Sequence, residues 1–217
     1  MEESKSREKV LKKVRQALIN KSTHDVEHVD IDSPIYKEPT EPYEIEFARK
    51  FTALNGKFVF CENEQEFTQN FSQLLKENNW PEPFCFEPSI KNILQKGKIA
   101  YKENESEIIT ADVGVTGCEC LIARTGSVMV SSRQASGRRL PLYSNYHIVV
   151  AYTSQLVYNI KDGLKLIRSK YPEIPSMISN ITGPSRTADI EKTLVQGAHG
   201  PKEIFIFLID NHASNSN

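Results

Sequence analysis

A chain of 217 residues with 39% hydrophobic and 25% charged side chains has the makeup of a globular protein that can bury a core without disulfides or a structural metal. Its 27 basic and 28 acidic side chains leave a formal charge of −1, which offers no field for gathering nucleic acid or docking on an anionic membrane. The longest apolar run, residues 204–209, falls far short of the roughly 20 residues that span a bilayer, so no membrane span is expected.

Residues 1–20 place Val10, Leu11, Val14, Ala17 and Leu18 on one stripe of a predicted helix, among mostly basic side chains. A charged start of this kind, without an apolar signal core, makes the cytoplasm the default location. Residues 24–46 carry eight acids against Lys37, and Pro34, Pro39 and Pro42 interrupt regular structure, so an extended arm is expected. The opposite charges of helix and arm would pair them within one subunit or across two copies in a homo-oligomer. The predicted division is residues 1–45, helix and arm, and residues 46–217, an α/β domain.

In that domain Phe67, Phe71, Leu74 and Leu75 make a helical stripe between strand-length runs at residues 57–61 and 83–87. Residues 119–123 and 127–130 read as strands joined through Arg124-Thr125-Gly126, as a hairpin or a kinked strand beside a parallel core. Strands at 147–152 and 177–180 flank a predicted helix carrying Leu156, Val157, Ile160, Leu164 and Ile167, and residues 204–209 form a continuous apolar strand. Alternation of this kind predicts an α/β fold of three layers, a mostly parallel sheet with helices on both faces.

The segment with the most chemistry is Ile181-Thr-Gly-Pro-Ser-Arg-Thr-Ala-Asp-Ile190, continuing to Gly197-Ala-His-Gly-Pro201. Gly183 and Pro184 would turn the chain at the carboxyl edge of the sheet, and Ser185 and Thr187 would cap a following helix whose free amides receive an anion. Arg186 supplies a planar donor fork for a carboxylate or phosphate ligand, and Asp189 would orient it or accept from a ligand hydroxyl. A purely structural loop, with Ser185 and Asp189 as caps and Arg186 paired to Asp189, uses the same residues. His199, between glycines, suits an acid, base or ligand role or a helix cap.

Thr125, Gly126 and Ser127 expose two hydroxyls at a turn, and Arg133, Arg138 and Arg139 cluster around Ser136-Gly137. His147 opens an apolar strand and reads as a hydrogen-bonded core histidine. Glu119, flanked by cysteines on a predicted strand, is a candidate base or nucleophile. Cys118 and Cys120 would face one way, but no partner ligands accompany them, Cys61 and Cys85 sit in apolar runs, and no metal site is expected. Nucleotide-binding glycine loops and zinc-protease motifs are absent from the sequence.

Gly183-Pro-Ser-Arg-Thr-Ala-Asp-Ile-Glu191 with Gly197-Ala-His-Gly-Pro201 resembles the signature of the lactate utilisation protein C family, whose domain is called LUD. Ile122-Ala-Arg-Thr-Gly-Ser127, and Arg139-Leu-Pro141 with His147-Ile148, resemble its second and third motifs. The resemblance covers about residues 50–210. It implies a fold similar to NagB, RpiA and the CoA transferases, and a part in oxidising L-lactate to pyruvate beside two iron–sulfur proteins. This chain would be the accessory component without cofactor, the clusters residing on its partners. Its ligand would be a small carboxylate held by Gly183, Ser185, Arg186, Thr187, Asp189 and His199, with Thr125, Gly126, Ser127 and Arg139 nearby. Arg124 stands where the family commonly has Glu. Two other readings remain: a stand-alone isomerase or acyl-transfer enzyme using Glu119, and a regulatory or scaffolding module acting through the N-terminal helix and arm.

Overall fold

A computed structural model describes residues 2–19, 38–187, 195–197 and 199–211. The chain falls into two compact units, Met1–Glu38 and Pro39–Asn217. The first contains helix α1 (Glu2–Ile19), on which Val10, Leu11 and Val14 are exposed. Residues 20–37, most of the predicted arm, lie outside the described residues. The second unit opens with helix α2 (Tyr43–Ala53), so residues 43–45 belong to the α/β unit rather than to the arm.

In chain order this unit continues with β1 (Lys57–Cys61), α3 (Glu64–Glu77), β2 (Phe84–Cys85), α4 (Pro88–Lys96), β3 (Val113–Thr116), β4 (Cys120–Ile122) and β5 (Ser127–Ser131). A single-turn helix α5 (Leu140–Tyr143) precedes β6 (Tyr146–Tyr152), β7 (Leu156–Val157) and α6 (Ile160–Lys170). The chain ends through β8 (Ile178–Ile181), β9 (Arg186–Thr187), β10 (Val195–Gln196) and β11 (Glu203–Ile209).

Five strands form a parallel sheet in the order β1-β11-β6-β3-β2. Its central strands are apolar on both sides because both faces are covered. Phe205, Phe207 and Ile209 of β11, with Ile148 and Val150 of β6, pack under α3 and α4 against Phe67, Phe71, Ile93 and Leu94. The alternate residues Ile204, Ile206, Leu208, Val149 and Ala151 face the other way, onto Phe47 and Phe51 of α2 and onto Leu121, Val128 and Val130. Those last three belong to a second sheet, β7-β4-β5-β8, grown from the predicted hairpin, in which β4, β5 and β8 run antiparallel. The mostly parallel sheet flanked by helices is thus present, with α2 and a second sheet sharing one face.

Helix α6 closes the outer side of the second sheet, where Ile167 meets Cys120, Ile122 and Met129. Gly163 is required there, since a Cβ would stand 2.8 Å from Cys120 Sγ. Leu156 and Val157, predicted as part of this helix, form β7 beside β4 instead. Their helical spacing from Ile160 is coincidental: Asn159 caps α6 through a reciprocal box with Asp162, and the helix cannot extend back past that cap. Cys118 and Cys120 also face apart. Cys118 precedes the regular strand and joins the inter-sheet core, whereas Cys120 lies under α6.

Candidate functional site

The loop after β8 does not sit where the sequence placed it. Gly183 leaves the second sheet, and Gly183 and Ser185 come together with Gly200 and Pro201 beside the amino ends of β6 and β11, opposite the carboxyl edge of the parallel sheet. No helix begins at Ser185; Arg186 and Thr187 instead pair antiparallel with Gln196 and Val195 as a short ribbon. Ser185 is fixed through its backbone, donating N–H to Pro201 O (2.9 Å) and accepting from Gly197 N (3.0 Å). The first of these bonds occupies the Ser185 amide, and the ribbon replaces the helix start that would have presented free amides to an anion. Asp189 lies outside the described residues, as does the Thr187 side chain.

Between ribbon, second sheet and α5 lies a cavity of about 330 Å³. Ser185, His199, Arg138 and Ser179 supply its polar groups, and Leu142 and Met177 part of its apolar wall. Ser179 and Ile181 reach it together because alternate residues along β8 share a face, and Met177, just before the strand, continues that alternation. Gly200 closes the far wall, where a Cβ would stand 3.1 Å from Ser185 Cβ. Gly183 has φ +92°, and a Cβ would meet Leu54 O at 2.8 Å, so this turn demands glycine.

Arg138 is the one arginine that lines this cavity among the described residues, and none of the lining residues is a carboxylate. Its Nη2 donates to Ser176 Oγ (2.5 Å), which steadies the guanidinium at the rim. Arg186 points elsewhere and donates to the Leu54 carbonyl at 2.6 Å, tying the loop to the end of α2. Arg139 lies over the Tyr143 ring, 5.8 Å from its centroid, and lines a second, small cavity beside Phe86 and Glu105 that Arg138 also borders. Of the arginine cluster, Arg138 in the loop before α5 reaches the cavity, together with Leu142 of that helix. Ser179 and Met177 carried no signal, reading as ordinary strand residues.

Thr125, Gly126 and Ser127 form a structural joint rather than part of the cavity. Thr125 and Ser127 share a hydrogen bond, and buried Ser127 also accepts from Asn180 Nδ2 (3.0 Å) on β8. Gly126, in the left-handed region at φ +60°, allows α2 to approach so closely that a Cβ would stand 2.6 Å from Phe51 N. Gly126→Ala is expected to cost about 2 kcal/mol in a urea titration, since neither the backbone conformation nor α2 can yield cheaply. A midpoint equal to wild type would contradict this role. Arg124 extends the same joint, its Nε donating to Asn159 Oδ1 (2.7 Å) at the α6 cap.

Glu119, the candidate base or nucleophile, is enclosed in a hydrogen-bonded cluster. Its side chain is 0% exposed, and its carboxylate accepts from Ser131 Oγ (2.6 Å), Lys170 Nζ (2.7 Å) and Tyr171 Oη (3.0 Å). The carboxylate clamps β4 and β5 to the end of α6. The cysteines are likewise inward, burial raising the Cys61 thiol to about 11 and those of Cys85 and Cys120 to about 12, so the unreactive thiol form prevails.

A family model described as the LUD domain matches residues 45–209. The chain belongs to the LUD domain family. Over 103 residues it is 37% identical to the Lactate utilization protein C of Shouchella clausii, covering 46% of this chain and 45% of that protein. Over 101 residues it is 39% identical to an uncharacterized protein of Neisseria meningitidis serogroup B, covering 45% and 42%. The LUD-domain chain spans about half the length of the curated relatives it matches. Its fold is similar to the crystal structure of a DUF162 family protein from Deinococcus radiodurans, with TM-score 0.59 and 18% identity over 79% of this chain and 99% of that one.

Proposed function

We propose that this LUD-domain chain serves lactate utilisation by holding a small carboxylate, L-lactate in the first instance, in the cavity between Arg138 and His199. The observation that carries the reading is the cavity's composition. One guanidinium stands without an opposing carboxylate among the lining residues, beside an imidazole, two hydroxyls and apolar walls. A short hydroxy acid matches each part: its carboxylate meets Arg138, its hydroxyl meets Ser185 or His199, and its methyl group meets Leu142 and Met177. The relatives named lactate utilization protein C support the choice of acid.

In this reading the chain is the accessory component, and the electron chemistry belongs to iron–sulfur partner proteins. The inward-facing, separated cysteines favour that division of labour, since cluster ligation requires several thiolates converging on one point. His199, exposed just beyond the ribbon, is placed to take the hydroxyl proton of lactate when a partner removes the C–H hydrogen together with the two electrons.

Calorimetric titration with L-lactate separates the two arginines. Arg138→Ala is expected to weaken binding at least about tenfold, the worth of a charge-assisted hydrogen bond, whereas Arg186→Ala should change it by less than about threefold. The reverse ranking would move the ligand to the Leu54 side of the loop and overturn the assignment.

A further inference from the structure

The cavity between β8, α5 and the ribbon is larger than lactate needs. Its volume of about 330 Å³ falls at the lower end of the range of sites that enclose drug-sized molecules, whereas lactate has only three carbons. The wall supplied by Met177, Ser179 and Ile181 extends about 13 Å, four residues of extended chain, so a lactate held at Arg138 leaves part of it uncovered.

Most of that wall is apolar. Met177 and Ile181 are half-buried, and Leu142 on α5 is 54% exposed, so all three keep surface that a ligand can still remove from water. From this shape we infer that the ligand class of the cavity is the L-2-hydroxy acids with a larger aliphatic side chain, isopropyl or isobutyl in place of methyl, which it holds more tightly than lactate. This rests on the carboxylate site at Arg138 proposed above and extends it to the other end of the ligand. The carboxylate and hydroxyl keep their contacts with Arg138 and with Ser185 or His199, and the side chain lies along Met177 and Ile181 with Leu142 covering it from α5.

Each further methylene taken from water onto an apolar wall improves affinity roughly fourfold where space for it exists. An isobutyl group adds three carbons to the methyl of lactate. Leu142 is half-exposed and the Ser179 hydroxyl interrupts the wall, so the gain expected is at least about tenfold, less than the full product. The same wall selects against charge: a second carboxylate in place of the isobutyl group would give up its hydration against Leu142 and Met177.

The test is calorimetric titration of the full chain with L-lactate, L-2-hydroxy-4-methylpentanoate and L-malate. The branched acid should bind at least about tenfold more tightly than lactate, and malate more weakly than the branched acid. Leu142→Ser, at a position exposed enough for folding to tolerate it, should cut the ratio of branched-acid to lactate affinity at least about threefold. Ile181→Phe, which fills the space, should weaken the branched acid more than lactate. Arg138→Ala should weaken both acids alike and leave their ratio unchanged, since it acts on the carboxylate that they share. Lactate binding that depends on Arg138, with the branched acid no tighter, with malate tighter than the branched acid, or with a ratio that neither wall variant lowers, overturns this inference and leaves the lactate site standing. Absence of binding by both acids, or indifference of both to Arg138→Ala, overturns the site and this inference with it.

Discussion

Glu119→Ala is expected to lower the unfolding free energy by about 2 kcal/mol, the cost of leaving the hydroxyl donors of Ser131 and Tyr171 without their buried acceptor. The carboxylate is wholly enclosed while Lys170 keeps 48% of its side chain exposed, so the lysine can turn to water but Ser131 and Tyr171 cannot readily replace their acceptor. Glu119→Gln retains one oxygen and sets an amide against the ammonium, so about half that loss is expected. Urea titrations of both variants measure this. A Glu119→Gln protein of full stability with altered turnover on any substrate would instead restore a catalytic role.

The second large effect is acid sensitivity from His147. The ring is fully buried between β3 and β11, with Nε2 at 2.8 Å from Thr116 Oγ1. The Thr116 hydroxyl donates to the Gly117 carbonyl (3.0 Å), so Nε2–H donates to Thr116 and Nδ1 is left without a partner. A proton on Nδ1 would place a charge in an apolar sheet, and this desolvation depresses the imidazole from its ordinary 6.5 to about 4. Between those values the unfolded chain binds a proton that the folded chain excludes. The stabilisation is therefore complete above about pH 6.5 and falls by roughly 3 kcal/mol as pH drops through about 4.

Burial raises the Glu87 carboxyl, which titrates with the opposite sign, so the informative quantity is the difference between wild type and His147→Leu. Equilibrium unfolding from pH 7.5 to 4 should show a wild-type slope that the variant lacks. Parallel slopes would show that His147 is protonated in the fold.

Much of this architecture was legible because β6 and β11 are apolar at consecutive positions, a pattern that only a doubly covered sheet requires. The hairpin was legible from its turn, and His147 from its apolar surroundings. Leu156 and Val157 were misread because two apolar residues before a helix match its period as well as a strand's. The candidate site was legible as a loop but not as a geometry. Arg186 and Arg138 stand in similar Gly- and Ser-rich settings; only the distant Leu54 carbonyl, which takes one, and Ser176, which steadies the other, separate their roles. Glu119 looked catalytic for want of Lys170 and Tyr171, some fifty positions away.

The most direct test of the central claim is a crystal structure of the chain grown with L-lactate. Lactate is expected in the cavity of about 330 Å³, its carboxylate on Arg138 and its hydroxyl within reach of Ser185 or His199. Lactate bound against Arg186, or at the carboxyl edge with this cavity empty, would contradict it.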